Sequence, residues 1–212
     1  MGVRATLPIA PKPGRGTAGS RLDRLRKQAA ACRRCPLWRR GTQTVFGEGA
    51  SRAPIMLVGE QPGDVEDRRG HPFVGPAGTL LRELLEEADI AADDVYLTNA
   101  VKHFKWRAQG KRRIHERPNR EEILACRMWL DEEIAAVQPR TLIALGATAA
   151  SVIFGNRVRV MRDRGKRVPS DLAKVAAVTV HPSSILRAPG ATARRLARQA
   201  FVKDLKRIVA DR

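Results

Sequence analysis

Long apolar runs are missing from this sequence. No stretch reaches the roughly 18 residues a helix needs to cross a bilayer. The N-terminus also lacks the apolar segment of a secretory signal, so a cytoplasmic protein without membrane contact is expected. Cysteine is scarce: three residues in 212. An odd number does not make a disulfide framework, and a reducing compartment fits. Negative charge is short as well, with 22 Asp and Glu against 40 Lys and Arg, a net charge of +18. Such an excess is unusual for an enzyme of small neutral metabolites and points to a polyanion, most simply nucleic acid. Solubility, or an Arg-rich coding bias, is the other explanation. No internal repeat and no domain boundary stand out. With 43% hydrophobic residues, the chain can bury one substantial core.

Residues 1–20 are rich in Pro, Gly and basic side chains and lack apolar periodicity, which predicts a flexible basic tail ahead of one domain over 21–212. Apolar spacing at Leu22, Leu25 and Ala29 predicts a short helix leading into Cys32 and Cys35. Short apolar runs at 53–58, 95–101, 141–146 and 175–180 read as strands. Helical patterns follow at about 76–88, 120–137, from Ala147, and at 193–209. Residues 44–49 read as a loop, 103–119 as a long polar segment, and 158–169 as a basic irregular stretch with room for a hairpin. Alternating strands and helices predict an α/β fold, a three-layer α/β/α sandwich around a four-stranded parallel sheet. Right-handed crossovers bring the strand ends to one edge. Glu60, Gln61, Asn99, Gly146 and His181 then converge, although they are far apart in sequence. The stretch Gly59-Glu60-Gln61-Pro62-Gly63-Asp64, with Arg69-Gly70-His71-Pro72-Phe73-Val74-Gly75-Pro76-Ala77-Gly78 after it, sits where such sheets hold ligands.

Four motifs in order carry a resemblance: Gly59-Glu60-Gln61-Pro62-Gly63, Pro72-Phe73-Val74-Gly75, Thr98-Asn99 and His181-Pro182-Ser183. Together they resemble the uracil-DNA glycosylase superfamily, closest to its family-four enzymes with an iron–sulfur cluster, over about residue 24 to the C-terminus. The resemblance implies uracil-containing DNA as partner. A base must leave the stack to be cut, so its pocket needs an aromatic face and an edge-reading amide. Phe73 can stack, and Asn99 can pair with a pyrimidine carbonyl and N3–H at once. By resemblance, backbone around Gln61 and Gly63 lines the pocket. His181 donates to the uracil carbonyl as charge develops there. Ser183, Ser184 and Arg187 are expected at phosphates.

Cys32 and Cys35 form a C-x-x-C pair, and Cys126 stands near a helix start. The family-four pattern has a further Cys where this chain reads Val101-Lys102-His103, so His103 is the expected fourth ligand of a [4Fe-4S] cluster. Histidine replaces Cys in some iron–sulfur sites. Zinc on three Cys and one His is the chemical alternative.

Between His103 and Cys126 the chain carries extra residues, 107–115, containing Lys111-Arg112-Arg113-Ile114-His115. This looks like the insertion of the X class of uracil-DNA glycosylases, whose members become covalently joined to the abasic product. The resemblance implies His115 as nucleophile, with Glu60 orienting it and accepting its proton, and Gln61 placing any residual water. Lys111, Arg112 and Arg113 would contact phosphates or anchor the loop; Arg113 could equally form a structural ion pair. A preference for single-stranded DNA and a monomeric state are expected. A conventional enzyme with turnover, and a non-enzymatic nucleic-acid-binding domain, are the other readings.

Overall fold

Four apolar runs supply the parallel strands at the centre of the molecule. The structure, a computed structural model, describes residues 18–210. The expected basic tail therefore lies largely outside the described residues, and Ala18, Gly19 and Ser20 are already the first turn of α1 (Ala18–Ala30). Strands β2 (Ile55–Gly59), β3 (Val95–Asn99), β6 (Thr141–Leu145) and β7 (Val175–Thr179) are mutually parallel. The expected four parallel strands are thus present. Added to them is β1 (Glu48–Gly49), a two-residue antiparallel edge strand on β3 within the stretch expected to be a loop. The complete sheet has the order β1-β3-β2-β6-β7.

Both faces of the sheet are covered, which is why these strands read as unbroken apolar runs. Strand periodicity divides them between two cores. Met56, Val58, Tyr96, Leu142, Ala144, Ala176 and Val178 pack with α1, with α4 (Arg120–Val137) and with α5 (Ala147–Phe154). Ile55, Leu57, Val95, Ile143, Leu145, Val175 and Ala177 pack with α3 (Pro76–Glu87), α7 (Pro182–Leu186) and α8 (Gly190–Val209). The start of α4 is fixed by a capping box: Asn119 Oδ1 accepts from Glu122 N at 2.9 Å, and Glu122 Oε2 accepts from Asn119 N at 2.7 Å.

Short elements account for the differences from expectation. The polar segment after β3 is a hairpin, β4 (Trp106–Gln109) and β5 (Arg112–His115), turned at Gly110 with φ +58°. The basic stretch that left room for a hairpin is instead a single turn, α6 (Val160–Asp163), with one isolated bridge from Arg167 to Ala177. A further turn, α2 (Asp64–Arg69), sits inside the Gly/Pro loop. No helix among the described residues is long and apolar enough to cross a membrane.

Candidate active site and candidate metal centre

Strand β2 crosses to β3 on one side, and the chain then returns to β6 on the other. The crevice beyond the carboxyl ends of β2 and β6 is therefore a topological switch point, where open α/β sheets hold ligands. A cavity of about 840 Å³ lies there, lined from four strand ends by Glu60, Asn99, Gly146 and His181. Gln61, Gly63, Phe73, His115, Ser183, Ser184 and Arg187 also line it. The structure thus brings together most of the expected site residues.

The floor is built around missing side-chain volume. A Cβ on Gly59 would collide with Asn99 Oδ1 and come within 2.8 Å of Phe73 Cζ. Strand β2 ends in glycine because the amide and the ring close over it. A Cβ on Gly78 would fall 2.6 Å from Phe73 Cα, so α3 can approach the Phe73 loop only at a glycine. Phe73 itself is held at φ +55°, an uncommon conformation of the kind that persists where surroundings over-determine it. Asn99 is fixed from beneath by a buried cation. Lys102 Nζ donates to Asn99 O and Thr98 Oγ1, each at 2.7 Å, and pairs with Glu133. Glu133 also accepts from Tyr96 Oη at 3.1 Å and Gly47 N at 2.8 Å. The buried charge is therefore paired and hydrogen-bonded on several sides.

His181 caps α7 with its own ring. Nδ1 accepts from Ser183 N at 3.2 Å, and Ser183 Oγ lies 2.8 Å from the same nitrogen. A backbone N–H can only donate, so Nδ1 is the acceptor and the ring proton is on Nε2. Burial, then the charges of Arg187 and His115, push the His181 pKa down to about 4. The ring is neutral near pH 7 and keeps one N–H to offer. Phe73 lies 6.1 Å from it in a stacked arrangement.

His115 ends β5, and its Nε2 is 3.4 Å from Glu60 Oε1. The other Glu60 oxygen accepts from Thr148 Oγ1 in the first turn of α5, which aims the carboxylate at the ring. Burial lowers the His115 pKa below the ordinary 6.5; Glu60 opposes that shift, and Arg187 and Arg117 add to it. The hairpin is anchored at its base by Gln61. Its Nε2 donates to Lys105 O at 3.1 Å and Glu116 O at 3.0 Å, and its Oε1 accepts from Lys105 N at 3.2 Å. Both amide protons are consumed, so Gln61 has no donor left with which to place a water. Of the two roles open to Arg113, the structure gives the ion pair. Its side chain is 14% exposed, pairs with Asp64, and donates to Asp67 Oδ2 at 2.7 Å. It also lies over the rings of Phe104 and Trp106. Lys111 and Arg112, at the hairpin tip, are exposed.

Glu66, Arg117, Thr148 and Met161 belong to the cavity or its support and were not anticipated. Glu66 Oε1 accepts from Gly75 N at 2.8 Å. Its only signal was an acid between two glycines of the loop. Thr148 could have been found as the hydroxyl two residues past the strand-to-helix glycine, Gly146.

The cysteines lie in one region. Cys32 and Cys35 are both within Coulombic reach of Cys126. Cys32 Sγ accepts from Trp129 Nε1 at 3.3 Å, and Cys126 Sγ accepts from Lys102 N at 3.2 Å. His103 Nε2 meets Thr44 Oγ1 at 2.9 Å, and Thr44 donates its own proton to Ala29 O at 3.0 Å. His103 Nε2 is therefore the donor, and Nδ1 keeps its lone pair, as a metal-binding histidine needs. Among the described residues, no three His, Cys, Asp or Glu form a ready cage for a metal ion. The donor set and the N–H groups directed at sulfur fit an iron–sulfur group in chemistry.

The chain matches the family model described as the uracil DNA glycosylase superfamily over residues 46–206. It is 37% identical over 191 residues to the type-4 uracil-DNA glycosylase of Pyrobaculum aerophilum, covering 87% of this chain and 91% of that protein. It is 39% identical over 167 residues to the type-4 enzyme of Thermotoga maritima, covering 78% and 83%, and 33% identical over 195 residues to that of Sulfurisphaera tokodaii, covering 88% and 83%. With the matched segment spanning the sheet and every wall of the cavity, the chain belongs to the uracil-DNA glycosylase superfamily.

Proposed function

We propose that this protein excises uracil from DNA and then joins the abasic sugar covalently through His115. The observation that carries the reading is the placement of His115 beside Glu60 on the wall of the cavity that holds Phe73, Asn99 and His181. The extruded uracil stacks on Phe73 and pairs with Asn99. The C1′–N1 bond breaks, its electron pair leaves with the uracil, and His181 Nε2–H donates to the carbonyl where the negative charge collects. C1′ is left oxocarbenium-like. The neutral His115 imidazole, a better nucleophile than water, closes a new N–C1′ bond. Its remaining ring proton passes to the Glu60 carboxylate, which Thr148 holds in place. Single-stranded DNA is the favoured substrate because no base pair has to open.

Cys32, Cys35, His103 and Cys126 would hold a [4Fe-4S] cluster. When bound it supplies one-electron chemistry and a covalent tie between α1, the segment after β3 and α4. Visible absorption and iron analysis of anaerobically purified protein test this; a colourless, iron-free but folded protein rejects it.

A second reading, a conventional enzyme with turnover, is favoured by the 47% exposure of the His115 side chain, which lets water reach the same face. A denaturing gel with a uracil-containing oligonucleotide in excess separates the two. Wild type is expected to give one crosslink per protein. His115→Ser is expected to give none while still releasing uracil. Crosslinks in that variant remove His115 as the nucleophile, and many free uracils per wild-type molecule favour turnover.

A further inference from the structure

We propose that Met161 is an apolar wedge against which a base adjoining the extruded uracil stacks, making α6 a DNA-contacting element. The proposal rests on the reading of uracil-containing DNA as substrate. Among the large hydrophobic residues described, Met161 is the most exposed, at 74%. A lone exposed methionine needs no explanation by itself. This one lines the same cavity as His181, Ser183, Ser184 and Arg187.

The backbone that presents it is braced on both sides. Before it, Arg159 N donates to Asp163 Oδ2 at 2.8 Å, closing the turn on itself. After it, Gly165 N donates to Val178 O at 2.9 Å, which ties the turn to β7. Arg164 Nε donates to Asp204 Oδ2 at 2.7 Å, and that oxygen also accepts from Thr179 Oγ1 at 2.6 Å. Met161 therefore projects from a fixed platform at the rim of the cavity.

The surroundings match a polyanion. Arg157, Arg159 and Lys166 are exposed around the turn. The acid within it, Asp163, is neutralised by Arg162, whose donors lie at 2.9 and 2.8 Å. An apolar tip ringed by cations suits a base and its flanking phosphates. Methionine belongs to the set of apolar side chains that proteins insert beside bases, and its soft, flexible stem adapts to any base face. Stacking of this kind is sequence-tolerant, as an enzyme that meets uracil in many contexts requires.

The test uses the full-length protein and a single-stranded oligonucleotide carrying 2′-fluoro-2′-deoxyuridine, which resists cleavage, next to 2-aminopurine. Met161→Ala is expected to raise the dissociation constant about fivefold or more and to reduce the change in 2-aminopurine fluorescence on binding. Met161→Phe should keep both. Leu196→Ala, which removes another exposed apolar side chain (55%) on α8, should change neither. The open position of Met161 means that its truncation leaves the core untouched. Wild-type affinity and wild-type fluorescence in Met161→Ala overturn the wedge. If the wild-type protein releases no uracil from a normal uracil-containing strand, the substrate reading falls, and the wedge with it.

Discussion

The proposed mechanism asks His181 to offer a hydrogen bond without carrying a charge, and the ring is kept neutral in two ways. Ser183 occupies Nδ1 with a donor, and burial with nearby positive charge brings the pKa to about 4. The folded-state value lies below the ordinary 6.5, so as pH falls the unfolded chain takes up this proton first. The contribution of His181 to stability is complete above about pH 6.5 and is lost progressively towards pH 4. On the proposed mechanism the same shift sets the acid limb of uracil release. In His115→Ser, where the other cavity histidine is gone but burial and Arg187 still hold the His181 pKa down, uracil release should persist as pH drops through 6.5 and fail only well below it. A midpoint for loss near 6.5 would show that His181 titrates as an ordinary imidazole and does not hold its proton as described. None of this was legible in the sequence beyond the His-Pro-Ser order. Which nitrogen carries the proton depends on a backbone N–H two residues on, and the pKa depends first on burial and then on Arg187 and His115, all supplied by the fold.

At the level of elements, the strands were readable because each is buried on both faces and so is mostly apolar, with polar residues only at the ends, such as Thr98 and Asn99 of β3, Thr141 of β6 and Thr179 of β7. The hairpin was not. Trp106, Arg107, Ala108 and Gln109 alternate apolar and polar, but over only four residues, and Arg112, Arg113, Ile114 and His115 do not alternate at all. Its strands form through the turn at Gly110 and through ties made elsewhere: Gln61 at the base, Arg113 to Asp64 and Asp67, and Trp106 Nε1 to Arg40 O at 2.9 Å. The glycine-rich loop after β2 thus does two jobs. Its backbone lines the cavity, and its Gln61 side chain fixes the element that carries His115. Gln61→Ala should leave two hairpin carbonyls without their donor. At about 1 kcal/mol per bond, adduct formation should slow roughly tenfold or more, with faster hydrogen exchange over 105–116. Gln61→Glu should not rescue it, because a carboxylate has no N–H for Lys105 O and Glu116 O. An unchanged adduct rate with unchanged exchange would mean that the hairpin holds its place without this clamp.

Over the whole molecule, a net charge of +18 says little until the cations are sorted by what holds them. Arg21, Arg164, Arg198 and Lys206 are bound to carboxylates that tie helices to their neighbours, and Arg127 is bound to Asp131 within α4. Arg113 is spent in the same way on the hairpin, whereas Lys111 and Arg112 at its tip, with Arg117 and Arg187 at the cavity, face outward. The sequence showed three consecutive cations and no means of telling them apart; the fold separates them by pointing one at Asp64 and Asp67. This predicts two kinds of defect within one tripeptide. Replacing Lys111 and Arg112 together by Gln should weaken binding to single-stranded DNA and flatten the dependence of log affinity on log salt by about 0.7 for each phosphate no longer neutralised. The adduct rate at saturating DNA should stay near that of wild type. Arg113→Gln should do the reverse. The salt slope should hold, because this cation neutralises protein carboxylates and releases no counterions from DNA, while the adduct rate falls as Asp64 and Asp67 lose their partner and the hairpin loosens. Titrations from about 50 to 200 mM salt, with single-turnover gels on the same three proteins, separate these outcomes. A reduced salt slope in Arg113→Gln with an intact adduct rate would place that arginine on the DNA.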